Sequence, residues 1–454
     1  MTIRTVAVVD VGKSNAKVAL VDLASLEETV IARTENSVKN SGCYPHFDTE
    51  RLWAFMLDGL AEAGRRARPD AVVTTAHGAS GALLAADGSL ALPMLDYEHS
   101  GPETILADYD LVRPGFAETG SPRLPVGLNL GAQFFWQANT FPEEFQSVAT
   151  ILTHPQYWTF RFCGVAANEA TSLGAHTDLW NPENRDFSSL VDRLGWRQKM
   201  APVRRASDRL GTLLPEIVAK TGLAAGTPVF CGIHDSNASL YPHLLARQAP
   251  FTVVSTGTWV IVMAVGGERQ VLDPARDTLI NVNAFGDPVP SSRFMGGREF
   301  SLLIGDQGVE PGEAEIGRVL NAPFLLTPSV DQGSGPFQHR KARWLPQEPQ
   351  NPGERFAAVS FYLAMMTATC LDLIGAQGDS VVEGPFGQNR CFIKMLATAS
   401  GRSVVVSKGS TGTSIGAALL CAGPDFRPVG GAETMIVPEP EWFSYVARWR
   451  QAVG

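Results

Sequence analysis

The sequence predicts an α/β protein of two domains, and three observations carry that prediction. The chain has 454 residues, more than a single hydrophobic core comfortably encloses. Its opening elements read β-β-β-α-β, a mixed layer of strands and helices rather than a plain βαβ repeat. The opening pattern then returns at mid-chain. VAVVDVGKSNAKVALVD and FTVVSTGTWVIVMAV are both strand, polar or glycine turn, strand, and they open two halves of similar size.

Taken in order, Thr5 to Val11 is apolar and β-branched, Gly12-Lys13-Ser14-Asn15 has turn chemistry, and Ala16 to Leu23 resumes the strand. A third strand over Thr29 to Arg33 follows. Asp48 or Thr49 then caps a helix whose apolar positions Leu52, Phe55, Met56 and Leu60 recur at helical spacing. A buried strand, Ala71 to Thr75, leads to a loop around His77-Gly78-Ala79. The middle of the chain reads as mostly helical, until Pro228 opens a strand, Val229 to Ile233, that ends at His234-Asp235. In the second half, Phe251 to Ser255 and Trp259 to Val265 flank the turn Thr256-Gly257-Thr258. Residues 267–350 read as a loop-rich insertion or assembly surface. A helix over Glu354 to Ile374, a strand Ser380 to Glu383, a helix from Asn389, a strand Ser403 to Val406 and a last helix Thr413 to Leu420 complete the order.

Composition narrows the partners. Apolar residues make up 44% and charged residues 18%, an ordinary globular balance. A net charge of −9 argues against a nucleic-acid or anionic-membrane partner, since either calls for a basic face. The six cysteines, Cys43, Cys163, Cys231, Cys370, Cys391 and Cys421, form no C-x-x-C pair and fit reduced core thiols. The first apolar run is short and broken by Asp10 and Gly12, so it reads as a strand and not as a signal peptide. No other segment reads as a membrane span. The expected location is the cytoplasm.

The polar residues at the strand ends carry the chemistry. In the first turn Gly12 lets the backbone approach a ligand, and successive amides with Lys13, Ser14 and Asn15 suit phosphate oxygens. Asp10 at a strand end suits water-mediated contact with Mg²⁺. A plain hairpin with an Asx-turn accounts for the same residues locally. A P-loop does not, because that motif needs glycine where Ala7 stands and a helix where a strand follows. The dinucleotide pattern G-x-G-x-x-G is also missing from this turn, which argues against a dehydrogenase. Thr256, Gly257 and Thr258 repeat the phosphate-turn logic in the second half. Asp235, at the carboxyl end of a strand, suits a general base for phosphoryl transfer, or else a helix cap. His77, Gly78, Tyr97 and Glu98 lie in loops whose polar groups suit sugar hydroxyls, although a lone loop histidine is by itself more often structural or merely solvated.

With these pieces placed, the chain resembles the FGGY family of carbohydrate kinases over nearly its whole length. DVGKSNAKVALVD is similar to the family's first phosphate turn, with Lys13 where a small residue is usual and Lys17 where a basic one is common. THPQYWTFRFCG and NEATSLG resemble the helix and turn near the sugar, and TGLAAGTPVFCGIHDSNASL resembles the stretch that carries the catalytic base, here Asp235. STGTW resembles the second phosphate turn, particularly that of rhamnulose-type kinases, which also place His before Asp. Glu383 to Asn389 stands loosely where the adenosine segment lies, and Thr411 replaces a usual glutamate.

The resemblance implies two ribonuclease-H-like, actin-like ATPase domains, 1–245 for the sugar and catalysis and 246–454 for the nucleotide, with an active-site cleft between them. It implies ATP and Mg²⁺, with Asp235 as base and metal neighbour and Asp10 holding the metal through water. Gly12, Lys13, Ser14, Asn15, Lys17, Thr256, Gly257, Thr258, Gly384, Gly387 and Asn389 would meet the nucleotide. His77, Gly78, Tyr97, Glu98, Thr171, His234 and Asp235 would meet the sugar. The expected substrate is a deoxyketose such as L-rhamnulose or L-fuculose. A pentulose or polyol kinase, or a non-catalytic sugar or nucleotide sensor, are the alternatives. The expected partners are small molecules, with homodimerisation left open.

Overall fold

The computed structural model describes residues 3–305, 308–322, 324–407, 412–423, 426–428 and 433–454. The chain forms two compact units, Met1–Ala246 with Ile280–Pro288 and Thr411–Pro428, and Arg247–Leu279 with Val289–Ser410 and Val429–Gly454.

In the first unit, strands Thr5–Val11 and Asn15–Asp22 form the expected antiparallel hairpin, and Glu27–Glu35 extends it. Ala71–Ala76 runs parallel to Thr5–Val11 on the other side, followed by Pro228–Phe230 and then the antiparallel Arg209–Thr212. Helix Thr49–Ala67 lays Leu52, Met56 and Leu60 on the core, and Asp48 caps it by accepting the Arg51 amide at 3.2 Å. The carboxylate satisfies an amide that the first turn would otherwise leave orphaned.

The second unit rebuilds the same frame. Strands Phe251–Thr256 and Val260–Val265 make the hairpin, Pro288–Phe294 extends it, and Asp379–Glu383 runs parallel to Phe251–Thr256. Val404–Ser407 follows in parallel and Glu433–Ile436 closes the row antiparallel. The two sheets thus repeat one order of strands and one set of directions, so the returning hairpin in the sequence marks a returning fold.

Four expectations need correction. The strand expected over Val229 to Ile233 is two pieces, Pro228–Phe230 and Ile233–His234. Gly232 breaks it with φ +84°, and a Cβ there would meet the Thr74 carbonyl oxygen at 2.4 Å. The middle is less helical than expected, because Gly81–Ala85, Leu90–Leu92 and Val148–Thr153 form a small sheet of their own. Residues 267–350 are not merely an insertion. They contribute strand Pro288–Phe294 to the main sheet and the helices Gly296–Ile304 and Glu313–Asn321. The chain also does not end its order at Thr413–Leu419, since helix Phe443–Val453 packs Tyr445 and Trp449 into the second core.

Helix Pro352–Leu373 corrects a further reading. By length and composition it could cross a membrane, yet 78% of its apolar stretch is buried, and it is the central helix of the second core. An all-round apolar helix inside a globular unit is the soluble counterpart of a span.

Helix Asp235–Ala246 is pinned by Thr413–Leu419 of the same unit. A Cβ at Gly416 would lie 1.7 Å from the Ala238 carbonyl oxygen, so the two helices meet backbone to backbone. Alanine ordinarily stabilises a helix relative to glycine by about 1 kcal/mol. Here Gly416→Ala should do the reverse, costing about 1–3 kcal/mol through overpacking. A fall in Tm on calorimetry checks this, and a rise would show that the helices can part without loss.

Candidate active site

Strand register builds the first half of the site. Thr5–Val11, Ala71–Ala76 and Ile233–His234 are parallel, with Val11 level with Ala76 and Ala76 level with His234. The next residues, Gly12, His77 and Asp235, therefore leave the sheet together at its carboxyl edge. Such edges are where ligands bind in open α/β sheets, because the strands stop and the loops turn outward.

The Gly12 turn is tight. Its amide donates to the Asn15 carbonyl at 2.9 Å, and the Asn36 side-chain amide donates to the Gly12 carbonyl at 2.8 Å. A cavity of about 400 Å³ brings together Asp10, Gly12, Lys13, Ser14, Asn15 and Lys17, all expected from sequence, and adds Arg33. Arg33 lies opposite Lys17 on the third strand. Only the register of that strand could have revealed it. Lys17 lies 3.5 Å from Asp10 and 2.8 Å from Glu28.

Asp235 is the first residue of its helix, and its side chain is 31% exposed. Its Oδ1 accepts the amide of Ser236 at 2.6 Å and lies 3.1 Å from His234 Nε2. An N-cap would instead accept from an amide two or three residues on. His234 Nδ1 faces the Asn237 amide nitrogen at 3.1 Å. If Asn237 donates there, the imidazole proton sits on Nε2 and points at Asp235. Burial lowers the pKa of His234, with Asp235 opposing, so the ring is neutral near pH 7. His234 thus spends both nitrogens on its neighbours.

Other residues expected to meet the sugar divide in two. Thr171 is wholly buried, donating its hydroxyl to Glu169 at 2.5 Å and accepting the His234 amide at 3.1 Å. Gly78 packs on His234, where a Cβ would meet Cδ2 and Nε2 at 3.0 Å. Both support the segment that carries Asp235 from behind. His77, Tyr97 and Glu98 cluster with Lys13, and the fold adds Phe47, Asp96 and His154 to them.

The second unit supplies a separate cavity of about 690 Å³. Gly257 and Thr258 line it, opposite the apolar rings of Phe300, Phe356 and Phe386, with Arg298, Gln388 and Asn389 as polar lining. Ser255 is level with Glu383 on the parallel neighbour, which brings the two turns to one edge. Thr256 joins them, accepting the Phe386 amide at 3.2 Å and donating to the Glu383 carbonyl. Gly384, at φ +82°, has room for no Cβ, because the Thr256 carbonyl oxygen would lie 2.0 Å away. Gly387 packs beneath the turn against Val406 and Val382. Asn389 caps helix Arg390–Ser400 through the Phe392 amide at 3.0 Å and donates to Ser360 at 2.8 Å, so its side chain is engaged structurally. Thr411 lies outside the described residues.

These units carry the two-domain fold of the actin-like ATPases. Residues 126–241 match the N-terminal domain of the FGGY family of carbohydrate kinases, and residues 248–428 match Carbohydrate kinase FGGY, C-terminal domain. A carbohydrate kinase from Novosphingobium aromaticivorans, solved by crystallography, is 36% identical with a TM-score of 0.91, covering 100% of this chain and 99% of that one. The chain belongs to the FGGY family of carbohydrate kinases.

Curated relatives match less of it. An L-fuculokinase of Salmonella typhi is 24% identical over 43% of this chain and 42% of its own length. A xylulose kinase of Bacillus subtilis is 23% identical over 64% and 61% respectively.

Asp10 gives the site a pH signature. Burial lifts its carboxyl from 3.8 to about 6, with Lys17 opposing and Asp235 adding to the rise. A raised carboxyl favours the folded state when protonated. Its stabilising contribution is therefore full below about pH 4 and is lost as pH climbs through about 6. Asp10→Asn cannot ionise. The Tm of the variant relative to wild type should therefore rise steadily across that window, as followed by scanning fluorimetry in a series of buffers. A difference that stays flat with pH would show that Asp10 titrates normally.

Proposed function

We propose that this protein is an ATP-dependent kinase that phosphorylates a hydroxyl of a small ketose, with Asp235 as the general base. The observation that carries this reading is the placement of Asp235 at the sheet's carboxyl edge, level with the Gly12 turn and fixed by His234. Membership of a family of carbohydrate kinases supplies the reaction class.

Phosphoryl transfer demands positioning and charge stabilisation more than covalent chemistry from the protein. Asp235 would accept the proton of the acceptor hydroxyl as its oxygen attacks phosphorus. In this reading 1–245 serve the acceptor and catalysis and 246–454 the nucleotide, except that Ile280–Pro288 and Thr411–Pro428 belong to the first unit. Gly257 and Thr258 would hold the triphosphate, and the cavity floored by Phe300, Phe356 and Phe386 would take the adenosine. Gly12, Ser14, Asn15, Lys17 and Arg33 would form a phosphate-binding turn of the first unit.

Mg²⁺ fits the donor set. Asp235 is near enough to Asp10 that its charge adds to the rise in the Asp10 pKa, a repulsion that a hydrated dication relieves. No group of three ligating side chains occurs among the described residues. That suits an ion held largely through water and phosphate, as magnesium commonly is. When bound, the ion would neutralise phosphate charge. The unpaired cysteines, five of them buried, accord with a reducing compartment, and we place the protein in the cytoplasm.

The substrate proposed is a deoxyketose such as L-fuculose or L-rhamnulose, and the partial likeness to an L-fuculokinase supports it. Sugar-dependent ADP formation across ketoses and polyols tests both levels. The highest kcat/KM should fall on one of these two deoxyketoses. A far higher value for glycerol or a pentulose overturns the substrate, and ATP binding without turnover on any sugar overturns the kinase in favour of a sensor.

Asp235→Asn separates base from scaffold. Asn keeps an oxygen for the Ser236 amide and for His234, but it cannot take a proton. The variant should lose at least about a hundredfold in kcat, the low end of general-base assistance. Its Tm and its ATP affinity should stay close to wild type. Near-normal turnover beside a destabilised Asp235→Ala would instead mark Asp235 as purely structural.

A further inference from the structure

Lys13 stands in the first phosphate turn, between Gly12 and Ser14, yet its side chain leaves that turn. Its ammonium hydrogen-bonds Asp96 and lies 3.3 Å from Glu98 Oε2. It sits 4.6 Å from the centroid of the Tyr97 ring and 5.1 Å from that of Phe47. Two carboxylates and two aromatic faces thus hold one cation, in a side chain that is only 22% exposed. A small residue at this position would leave Asp96 and Glu98 without their counter-charge.

His77 adds an independent sign that something binds here. Its ring packs against Tyr97 and Phe47, with centroids 5.3 and 5.7 Å away, and the residue is 8% exposed. Neither ring nitrogen has a hydrogen-bond partner. Burial, then His154, His234 and Lys13, push its pKa well below the ordinary value, so the ring is neutral. A neutral imidazole offers one donor and one acceptor, and burying both unmet is costly. A hydroxyl satisfies either.

The charge count sets the ligand class. One ammonium faces two carboxylates around a neutral imidazole, and along the same unit's edge the carboxylates of Asp10, Glu28 and Asp235 outnumber the cations Lys17 and Arg33. The cluster therefore offers donors and acceptors in plenty but no spare positive charge, and a carboxylate ligand would meet like charge.

We propose that Lys13 serves the acceptor and not the nucleotide, forming with His77, Asp96 and Glu98 a hydroxyl-binding cluster that admits uncharged sugars and rejects sugar acids. The assignment rests on the kinase reading above for its idea of an acceptor, but its test does not need turnover. A lysine that crosses from the phosphate turn into the hydroxyl cluster also ties the two together, so a bound sugar would help hold the turn in place.

The test uses wild type, Lys13→Thr and Lys13→Arg. Calorimetric titration without ATP, using L-fuculose, L-rhamnulose, D-xylulose and D-gluconate, is set beside steady-state KM for sugar and for ATP. Lys13→Thr should weaken the Kd for the preferred ketose by about ten- to hundredfold, the range expected for losing a hydrogen bond to a charged group. Its KM for ATP should stay within about twofold. Lys13→Arg should recover part of the loss, and gluconate should give no binding heat with wild type. A parallel rise in KM for ATP would return Lys13 to the phosphate. Tighter binding of gluconate than of any ketose overturns the charge argument. Silence from every ketose at millimolar concentration removes the cluster as an acceptor site. Ketose binding without ADP formation would sink the kinase reading alone, and the Kd values would still judge Lys13.

Discussion

The level register of three parallel strands is the constraint on which the rest of the first unit depends. Val11, Ala76 and His234 stop at one height, and Gly12, His77 and Asp235 leave the sheet from there. The break at Gly232 makes this possible. It lets the chain leave its pairing after Phe230 and rejoin the same neighbour at Ile233 with one residue taken up in the break, so that Asp235 follows directly on the edge rather than one residue beyond it. Side-chain chemistry then refines a geometry that backbone hydrogen bonds have already fixed.

Behind that edge lies a layer of residues that act through others. Glu169 holds Thr171, Thr171 holds the His234 amide, His234 holds Asp235, and Gly78 leaves the space His234 occupies. Gly416 draws Thr413–Leu419 onto the helix that Asp235 begins. The carboxylate is positioned by packing and hydrogen bonds that nowhere touch a ligand. In the kinase reading proposed above, such preorganisation would limit the reorientation an acceptor otherwise has to enforce on binding.

Much of this was legible in the sequence, for reasons that differ by element. The hairpins around Gly12 and Gly257 declare themselves through β-branched runs and turn residues, and their recurrence exposed the duplicated frame. Helix Thr49–Ala67 showed in its spacing and its Asp48 cap. Side-chain direction was not legible. Lys13 reads as a phosphate ligand because its neighbours are, and only the fold reveals that Asp96 and two aromatic rings draw it elsewhere. Thr171 reads as a ligand contact because it sits in the right stretch, yet burial commits its hydroxyl to Glu169 and the His234 amide, whereas Asn389 caps its helix and bonds Ser360 while still lining the cavity. Arg33 was hidden because strand pairing, and not proximity in sequence, brings it to Lys17. The helix Phe443–Val453 escaped notice although its buried positions Tyr445, Val446, Trp449 and Val453 recur at helical spacing.

The helix Pro352–Leu373 has a consequence for how the chain is made. Its Phe361 ring is covered by Trp442 and Tyr445, each with a centroid 5.0 Å away, from the far end of the polypeptide. Trp449 belongs to the same core. During synthesis this apolar segment emerges well before the residues that cover it, and it resembles a membrane anchor throughout that interval. The second unit therefore completes its core only once the segment that carries Trp442, Tyr445 and Trp449 has been made. Until then the nascent chain presents to the targeting and chaperone machinery a surface that the finished protein never shows.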